Sequence, residues 1–171
     1  MCCGGVPAVG RLYLRRTAAL KGGPLGYAGA VTGVSAAFID DLGRLALFVD
    51  LPEAELREIA ERCEEASFGS GEWVIRQGDE GSGVYLIVDG EVVVVIDDED
   101  RRVLSKGSFF GEVSVLLREP ATASILTRTP LRCLVVPSEE LQPFLLAHPK
   151  VMYRVLTAEA RRLATASEWP T

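Results

Sequence analysis

The sequence predicts an α+β domain, in which an antiparallel β-roll or jelly-roll barrel is flanked by N-terminal and C-terminal helices. Apolar residues follow a helical spacing up to about residue 67 and again from residue 138, and short β-branched runs fill the stretch between. The chain has 171 residues, of which 48% are hydrophobic and 25% charged. That length suits one domain with a sizeable core, and that balance is typical of a globular protein.

Two short helices are predicted where the domain begins, near Asp40. Their apolar faces comprise Leu42, Leu45, Phe48 and Leu51 in the first helix, and Leu56, Ile59, Ala60 and Cys63 in the second. The second helix is expected to continue to about Glu65. Asp50 and Glu53 have the spacing of a capping box, and Pro52 suits a first turn, so the second helix is expected to begin there.

Short β-branched runs bounded by turn residues predict the strands of the roll. They cover residues 73–75, 84–88, 91–96, 102–104, 123–126 and 131–136. Strands about ten residues apart, with glycine at the turns, are typical of an antiparallel barrel or jelly roll. Asp89 and Gly90 give the strongest hairpin signal, because a two-residue primed turn needs positive φ.

The helical period returns after these strands. Ser138 is predicted to cap a short helix that contains Phe144. The pair His148-Pro149 ends that helix, since the residue before a proline disfavours the helical region. Residues 151–167 then have the amphipathic pattern of a longer helix.

Charge is distributed unevenly along the chain. All 24 acidic residues lie at or beyond Asp40, and only four of the 18 basic residues precede it, namely Arg11, Arg15, Arg16 and Lys21. The remainder of the chain therefore has 14 basic against 24 acidic residues. An acidic domain repels the phosphate backbone of nucleic acids and anionic lipid, so no direct nucleic-acid partner is expected.

Residues 1–39 are predicted to be a disordered or targeting extension, and the domain is assigned to residues 40–168. The extension is rich in glycine and alanine and has no sustained helical or strand period. Arg15 and Arg16 would fit a twin-arginine-like signal, but glycines and a proline interrupt the stretch that follows them. No apolar run reaches the ~20 residues needed to cross a bilayer, so no membrane span is expected.

Residues able to build a catalytic or metal site are few and scattered. Cys2, Cys3, Cys63 and Cys133 contain no C-x-x-C pair, and the last two are expected as buried free thiols, on a helix and in a strand, in a reducing, cytoplasmic location. His148 is the one histidine of the sequence, and neither a G-x-S-x-G nor a P-loop motif is present. We therefore expect no metal, no cofactor and no enzyme activity.

Three motifs follow one another in the middle of the domain. They are Ile75-x-Gln77-Gly78-Asp79, then Tyr85-x-Ile87-x-x-Gly90-x-Val92, then Gly107-x-x-Phe110-Gly111-Glu112 with Pro120. In this order and spacing they resemble the cyclic nucleotide-binding domain family. The resemblance implies a stand-alone regulatory module that senses cAMP, cGMP or a related nucleotide or nucleoside.

The third motif also has a physical logic of its own. A glycine just before a short helix lets backbone N–H groups approach an anion, and a helix N-terminus favours negative charge. The resemblance implies that Gly111 and the next N–H groups hold a phosphate, and that Glu112 accepts a ribose hydroxyl. The alternative is that Glu112 only caps the helix predicted over 113–117. Candidate apolar wall positions of the recess are Leu86, Val103 and Leu104.

The chain departs from the family after Pro120, where the family has an arginine for the cyclic phosphate and this chain has Ala121. Loss of such a buried charge-assisted contact costs roughly 2–5 kcal/mol, which weakens binding by roughly 30-fold to a few thousand-fold. Three compensations are open: Thr122 donates a neutral hydrogen bond, Arg118 folds back, or the ligand is a neutral nucleoside. The competing hypothesis is a scaffold for protein interaction or dimerisation that binds no nucleotide.

The last helix resembles the dimer helix of bacterial catabolite activators around Arg162. That resemblance implies that Arg162 pairs with Glu112 and that Ser167 approaches the purine, although Ala166 stands where those activators have a hydroxyl residue. The alternative is an ordinary amphipathic packing helix with exposed arginines. The expected protein partner is a second copy of the chain, bound through this helix, or an unidentified effector; the chain stops at Thr171, which leaves no room for a helix-turn-helix. The predicted ligand-binding residues are Phe110, Gly111, Glu112, Val113, Ser114, Ala121, Thr122, Arg162 and Ser167.

Overall fold

The computed structural model describes residues 36–166 of the chain. The helices are Ala36–Gly43 (α1), Glu53–Glu61 (α2), Glu112–Leu117 (α3), Leu141–Ala147 (α4) and Pro149–Ala166 (α5). The strands are Glu64–Phe68 (β1), Trp73–Ile75 (β2), Gly83–Asp89 (β3), Glu91–Ile96 (β4), Glu99–Ser105 (β5), Phe109–Phe110 (β6), Ser124–Thr127 (β7) and Leu131–Pro137 (β8). The extension predicted for residues 1–39 lies outside the described residues except for its last four, and Ser167 also lies outside them.

Two four-stranded sheets form the roll. The first sheet has the strand order β1-β8-β3-β6 and the second has the order β2-β7-β4-β5, with antiparallel neighbours throughout. One apolar core lies between the sheets, and a second lies between the first sheet and the helices. The predicted fold class, an antiparallel roll flanked by N-terminal and C-terminal helices, is confirmed.

The core between the two sheets is called the roll core below. Its buried members are Ala66, Phe68, Val74, Tyr85, Ile87, Val92, Val94, Leu104, Phe110, Ile125, Leu131, Cys133 and Val135. Alternate residues of β3 point away from this core and lie under the helices instead, so that strand is buried on both faces. Burial on both faces explains why its sequence is a continuous apolar run without polar alternation.

The helices cover the outer face of the first sheet. Leu42 of α1, Ile59 of α2 and Phe144 of α4 meet Leu86 and Leu134 of the sheet in a second apolar core. Burying an apolar side chain of this size stabilises the fold by about 1.5–3 kcal/mol. Val151 at the start of α5 joins the same core, which positions the C-terminal helix over the sheet. In the range 36–166, the structure contains no helix that is both long and apolar enough to cross a membrane.

The hairpin predicted at Asp89 and Gly90 is wrong. β3 pairs with β8 and β6, whereas β4 pairs with β5 and β7, so the chain changes sheets at this point. Gly90 has a φ of 97°, and a side chain there would collide with the carbonyl of Pro130. The hairpin joins β4 to β5 instead, through Asp97 and Asp98 with φ values of 53° and 63°. Positive φ at both central residues is the property of a primed turn.

Two predicted helix caps are also wrong. Pro52 occupies the N-cap position of α2, which has no side-chain cap among the described residues. Asp50 has a left-handed backbone, with φ 65°, and its carboxylate lies 3.9 Å from the guanidinium of Arg154. The hydroxyl of Ser138 donates to the Glu139 carboxylate and does not cap α4. Tertiary contacts therefore replace both local caps.

The N-terminal helices end earlier than the apolar spacing predicts. α1 ends at Gly43, and the remaining apolar residues of its predicted face lie in the turns that follow. α2 ends at Glu61, so Cys63 lies between that helix and β1 and not on a helix. β1 and β6 were missed because the first has only one short apolar alternation and the second has two residues, too few for a period.

Two of the three predicted wall positions face away from the roll interior. Leu86 packs under the helices and Val103 is 46% exposed, whereas Leu104 belongs to the roll core. Side chains alternate between the faces of a strand, so a position next to an inward-facing residue points outward. Ile87, not Leu86, is the inward-facing residue of β3 at this point.

Candidate functional site

The candidate site is built on the segment from Gly107 to Ala121, called the cassette below. Its helix α3 begins after Gly111, whose φ of 88° is left-handed. A Cβ at Gly111 would lie 2.6 Å from the backbone oxygen of Gly83, so only glycine lets the cassette approach β3 this closely. A Cβ at Gly81 would lie equally close, 2.6 Å, to the hydroxyl oxygen of Ser114. The loop before β3 therefore packs directly on the start of α3.

The other end of the cassette is held by the same loop. The N–H of Ala121 donates to the oxygen of Asp79 at 2.8 Å, and the N–H of Gly78 donates to the oxygen of Ala121 at 2.8 Å. Ala121 is buried and Thr122 is exposed. Arg118 ends α3 in a left-handed conformation, with φ 57°. Both ends of the cassette are thus fixed by the backbone of residues 78–83.

Three of the predicted ligand-binding residues have packing or capping contacts in this arrangement. The Phe110 ring stacks on the Tyr85 ring inside the roll core, with centroids 5.1 Å apart and planes 3° apart. The Ser114 hydroxyl donates to the oxygen of Gly111 at 3.0 Å. Val113 is half-buried on α3. These contacts fix the shape of the cassette, and the predicted ligand roles of these residues stay predictions.

Glu112 joins the cassette to the C-terminal helix. Its side chain is buried, at 6% exposure, and its Oε1 accepts a hydrogen bond from Nη1 of Arg162 at 2.7 Å. The pairing implied by the resemblance is therefore present. Nη1 of Arg162 also donates to Glu159 at 2.6 Å, and Nη2 donates to the oxygen of Phe109 at 2.6 Å. The guanidinium lies 4.3 Å from the centre of the Phe109 ring, so this arginine is held on several sides.

The second carboxylate oxygen of Glu112 has a different environment. Oε2 is buried and has no hydrogen-bond partner within residues 36–166. Burial raises the pKa of Glu112, while the neighbouring Arg162 and the backbone N–H lower it, Glu159 raises it, and Arg102 lowers it. The net direction is upward, because desolvation outweighs the attraction of the arginines. A buried oxygen without a donor is costly, which makes Oε2 the chemically reactive feature of the site.

An apolar cavity lies on the helix side of Glu112. It is bounded by Leu86 and Phe109 of the first sheet, Leu116 of α3 and Val155 of α5, and the carboxyl of Glu112 is the polar group at its edge. This cavity is outside the roll, on the face of the first sheet opposite to the roll core. The predicted recess, in contrast, lies between the cassette and the roll.

Sequence reasoning missed three residues around Glu112. Phe109 and Glu159 hold Arg162 in place, and Arg102 acts on the Glu112 carboxyl through its charge. Glu159 stands three positions before Arg162, a spacing that brings side chains together on a helix. The alternation of Arg102 with Leu104 on β5 would have shown that both face the same side. Phe109 carries no local signal, because its contact uses the backbone oxygen.

Known proteins show the family of this domain. Residues 65–148 match the sequence profile described as Cyclic nucleotide-binding domain. The chain is 36% identical over 123 residues to a cGMP-dependent protein kinase of Plasmodium berghei (strain Anka), and these residues are 72% of this chain and 14% of that kinase. The domain belongs to the cyclic nucleotide-binding domain family, as its motifs predicted.

Solved structures have the same fold. The catabolite activator protein of Thermus thermophilus matches with a TM-score of 0.63 and 26% identity, over 70% of this chain and 59% of that one. The regulatory subunit of a cAMP-independent protein kinase A from Trypanosoma brucei matches with a TM-score of 0.63 and 23% identity, over 73% and 45%. The second likeness concerns the fold alone. This chain spans about one seventh of the Plasmodium kinase and part of each of these two proteins.

Replacing Gly111 with alanine should destabilise the domain more than the same change at Gly107. Both glycines have a left-handed φ, 88° and 85°, so an alanine at either costs about 1–2 kcal/mol of backbone strain. Only at Gly111 would the new Cβ meet Gly83, and this overlap should cost a further ~1–3 kcal/mol. Urea unfolding of both variants measures the difference. Equal losses would show that the close approach of the cassette to β3 is unimportant.

The raised pKa of Glu112 gives a pH dependence with a definite sign. Above the ordinary glutamate pKa of about 4.3, the unfolded chain releases this proton before the folded chain does. Stability contributed by Glu112 should therefore fall as pH rises from about 4 until the folded pKa is passed, and then stay constant. The free energy of unfolding of the wild type minus that of Glu112→Gln, measured by urea from acid to neutral pH, should decrease. A difference that rises with pH would contradict the direction of the shift.

Proposed function

We propose that the domain senses a cyclic nucleotide or a related ribose-bearing ligand, and that Glu112 recognises the ribose. One observation carries this proposal: Glu112 is nearly fully buried, one of its oxygens is fixed by Arg162, and the other has no donor within the described residues. A ribose hydroxyl supplies a donor for that second oxygen. Its hydrogen bond to a charged, fixed acceptor contributes about 1.5–3 kcal/mol.

The same geometry supports a signalling role. Arg162 belongs to α5, so a ligand that changes the environment of Glu112 also acts on the contact that holds the C-terminal helix. A ligand shifts a conformational equilibrium only by its differential affinity for the two states. Arg162 provides that difference, because its guanidinium reaches the cassette only when α5 is docked. Ligand binding and docking of α5 are therefore coupled.

The identity of the ligand depends on the position after Pro120. Ala121 is buried and carries no charge, so the cassette lacks the arginine that the family uses for the cyclic phosphate. Relatives with this fold include both a cGMP-dependent kinase and a regulatory subunit of a cAMP-independent one. The fold is thus compatible with more than one ligand, and cAMP, cGMP and the corresponding nucleosides are all candidates.

A scaffold that binds no nucleotide is the second candidate, and Ala121 is the observation that favours it. The loss of the phosphate partner weakens binding whichever cyclic nucleotide is considered. The close fit of Gly111 to Gly83 and the buried Glu112 favour the sensor, because a scaffold needs neither. Ligand binding separates the two.

Thermal unfolding with cAMP, cGMP, adenosine and guanosine should show a rise in melting temperature with at least one of them, since a ligand bound only to the folded state stabilises it. The matching 2′-deoxy compound is the control, because it lacks the hydroxyl assigned to Glu112. We expect it to bind about 10- to 100-fold more weakly, as measured by calorimetry. No shift with any compound at millimolar concentration would leave only the scaffold, and equal binding of the deoxy compound would remove Glu112 from the ribose.

We also propose that α5 joins two copies of the chain. Its outer side is apolar at Tyr153, Leu156, Ala160 and Leu163, which follow one another at intervals of three, four and three residues. Tyr153 is 70% exposed and Leu156 is 64% exposed. This spacing is that of a coiled-coil seam, so a second α5 fits the face better than an irregular partner.

Leu156→Glu should reduce self-association, because it places a charge in the proposed seam. Leu146→Glu is the matched control: Leu146 is also 64% exposed, but it lies on α4, away from the seam. Sedimentation velocity should show a shift toward the monomer for the first variant only. A wild-type chain that sediments as a monomer at all concentrations up to about 100 µM, a range that covers weak dimers, would refute the seam.

A further inference from the structure

Arg102 lies on the inner face of the roll, at its edge strand. In the pairing of β4 with β5, Val92 faces Leu104 and Val94 faces Arg102. Val92, Val94 and Leu104 belong to the roll core. Residues directly opposite in an antiparallel pair project from the same face of the sheet, so the Arg102 side chain projects from the inner face. Val103, between them, faces outward and is 46% exposed.

The neighbouring arginine differs from Arg102 in both position and partners. Arg101 falls at the irregularity in the β4–β5 ladder, where the register shifts between Val94 and Val95. Its guanidinium pairs with Glu99 at 3.0 Å. Arg102 is exposed and forms no ion pair within 4.0 Å in the part of the chain that the structure describes. Arg102 is therefore available to an anion, and Arg101 is a natural control on the same strand.

The position of Arg102 is linked to Glu112. The charge of Arg102 lowers the pKa of the Glu112 carboxyl, although the net shift of that pKa is upward because of burial. The two residues thus lie within electrostatic range, at the same end of the roll. Arg118, in contrast, ends α3 at the opposite end from Glu112, and its charge does not contribute to that pKa. Of these two arginines, Arg102 is the one near the proposed ribose position.

We propose that Arg102 supplies the positive charge for the phosphate of the ligand, in place of the arginine that Ala121 replaces. This inference rests on the proposed function, in which Glu112 holds the ribose. A 3′,5′-cyclic phosphate is fused to the ribose ring, so a cation that serves it must lie near the group that binds the remaining hydroxyl. Arg102 meets that condition from the opposite side of the roll, on β5 instead of the cassette. The predicted ligand is accordingly an anionic cyclic nucleotide.

The surroundings make such a cation necessary. The domain is acidic, and Asp79 and Glu80 lie in the loop that holds the cassette, with Glu119 at its other end. A phosphate brought next to these groups is repelled unless a positive charge is close. An arginine is suited to this role because its guanidinium donates two parallel hydrogen bonds to phosphate oxygens.

The test compares Arg102→Gln with Arg101→Gln in the full chain. Calorimetry measures the affinity for the cyclic nucleotide that binds best and for its nucleoside, adenosine or guanosine. We expect Arg102→Gln to weaken binding of the cyclic nucleotide about 10- to 100-fold and to leave the nucleoside unchanged, because only the first carries a phosphate. Arg101→Gln should change neither affinity, and Arg102→Lys should retain part of the loss, since it keeps the charge without the planar fork.

The outcomes separate this inference from the proposed function. If the wild type binds neither compound, both fail. If it binds a ribose compound and Arg102→Gln alters no affinity, or if Arg101→Gln has the same effect, only the assignment of Arg102 fails. Arg102 would then be an inward charge that protects the edge strand from pairing with another chain. Urea unfolding of each variant shows that a loss of affinity does not result from a loss of folding.

Discussion

The buried ion pair between Glu112 and Arg162 connects the parts of this domain that matter for its function. It joins a six-residue helix of the cassette to the long C-terminal helix across the edge of the first sheet. Removing one partner of such a pair leaves an uncompensated buried charge, which typically costs about 3–5 kcal/mol. Burial raises the pKa of Glu112 even so, and Oε2 keeps an unused acceptor within the described residues. A site that is costly on its own and improved by a hydroxyl donor is suited to a ligand.

Close backbone contact is the second constraint. The cassette touches the loop of residues 78–83 at both of its ends, and two of these contacts leave no room for a Cβ. Side chains such as Phe110 and Ser114 then support the cassette from inside and do not need to touch a ligand. The conformation of the cassette is thus set by the roll, while the carboxyl of Glu112 remains at the boundary with the helices.

Charge placement distinguishes this domain within its family. The position after Pro120 is an alanine, and the arginine nearest to Glu112 on the roll stands on the edge strand β5. Moving a cation from the cassette to the opposite sheet keeps the ligand anionic but changes which element senses the phosphate. A phosphate held from β5 would pull on the second sheet, and a phosphate held from the cassette would pull on α3.

The sequence by itself determined the class of fold, the family and the positions of Gly111 and Glu112, because these follow from local periods and from motifs at fixed spacing. It also indicated the contact of Arg162 with Glu112, through the resemblance of the last helix. The tertiary structure alone decided which strands pair. Asp89-Gly90 has hairpin chemistry, yet the chain changes sheets there, because pairing is set by packing between residues far apart in the sequence. The inward direction of Arg102 likewise depends on its partner Val94, which no local pattern specifies.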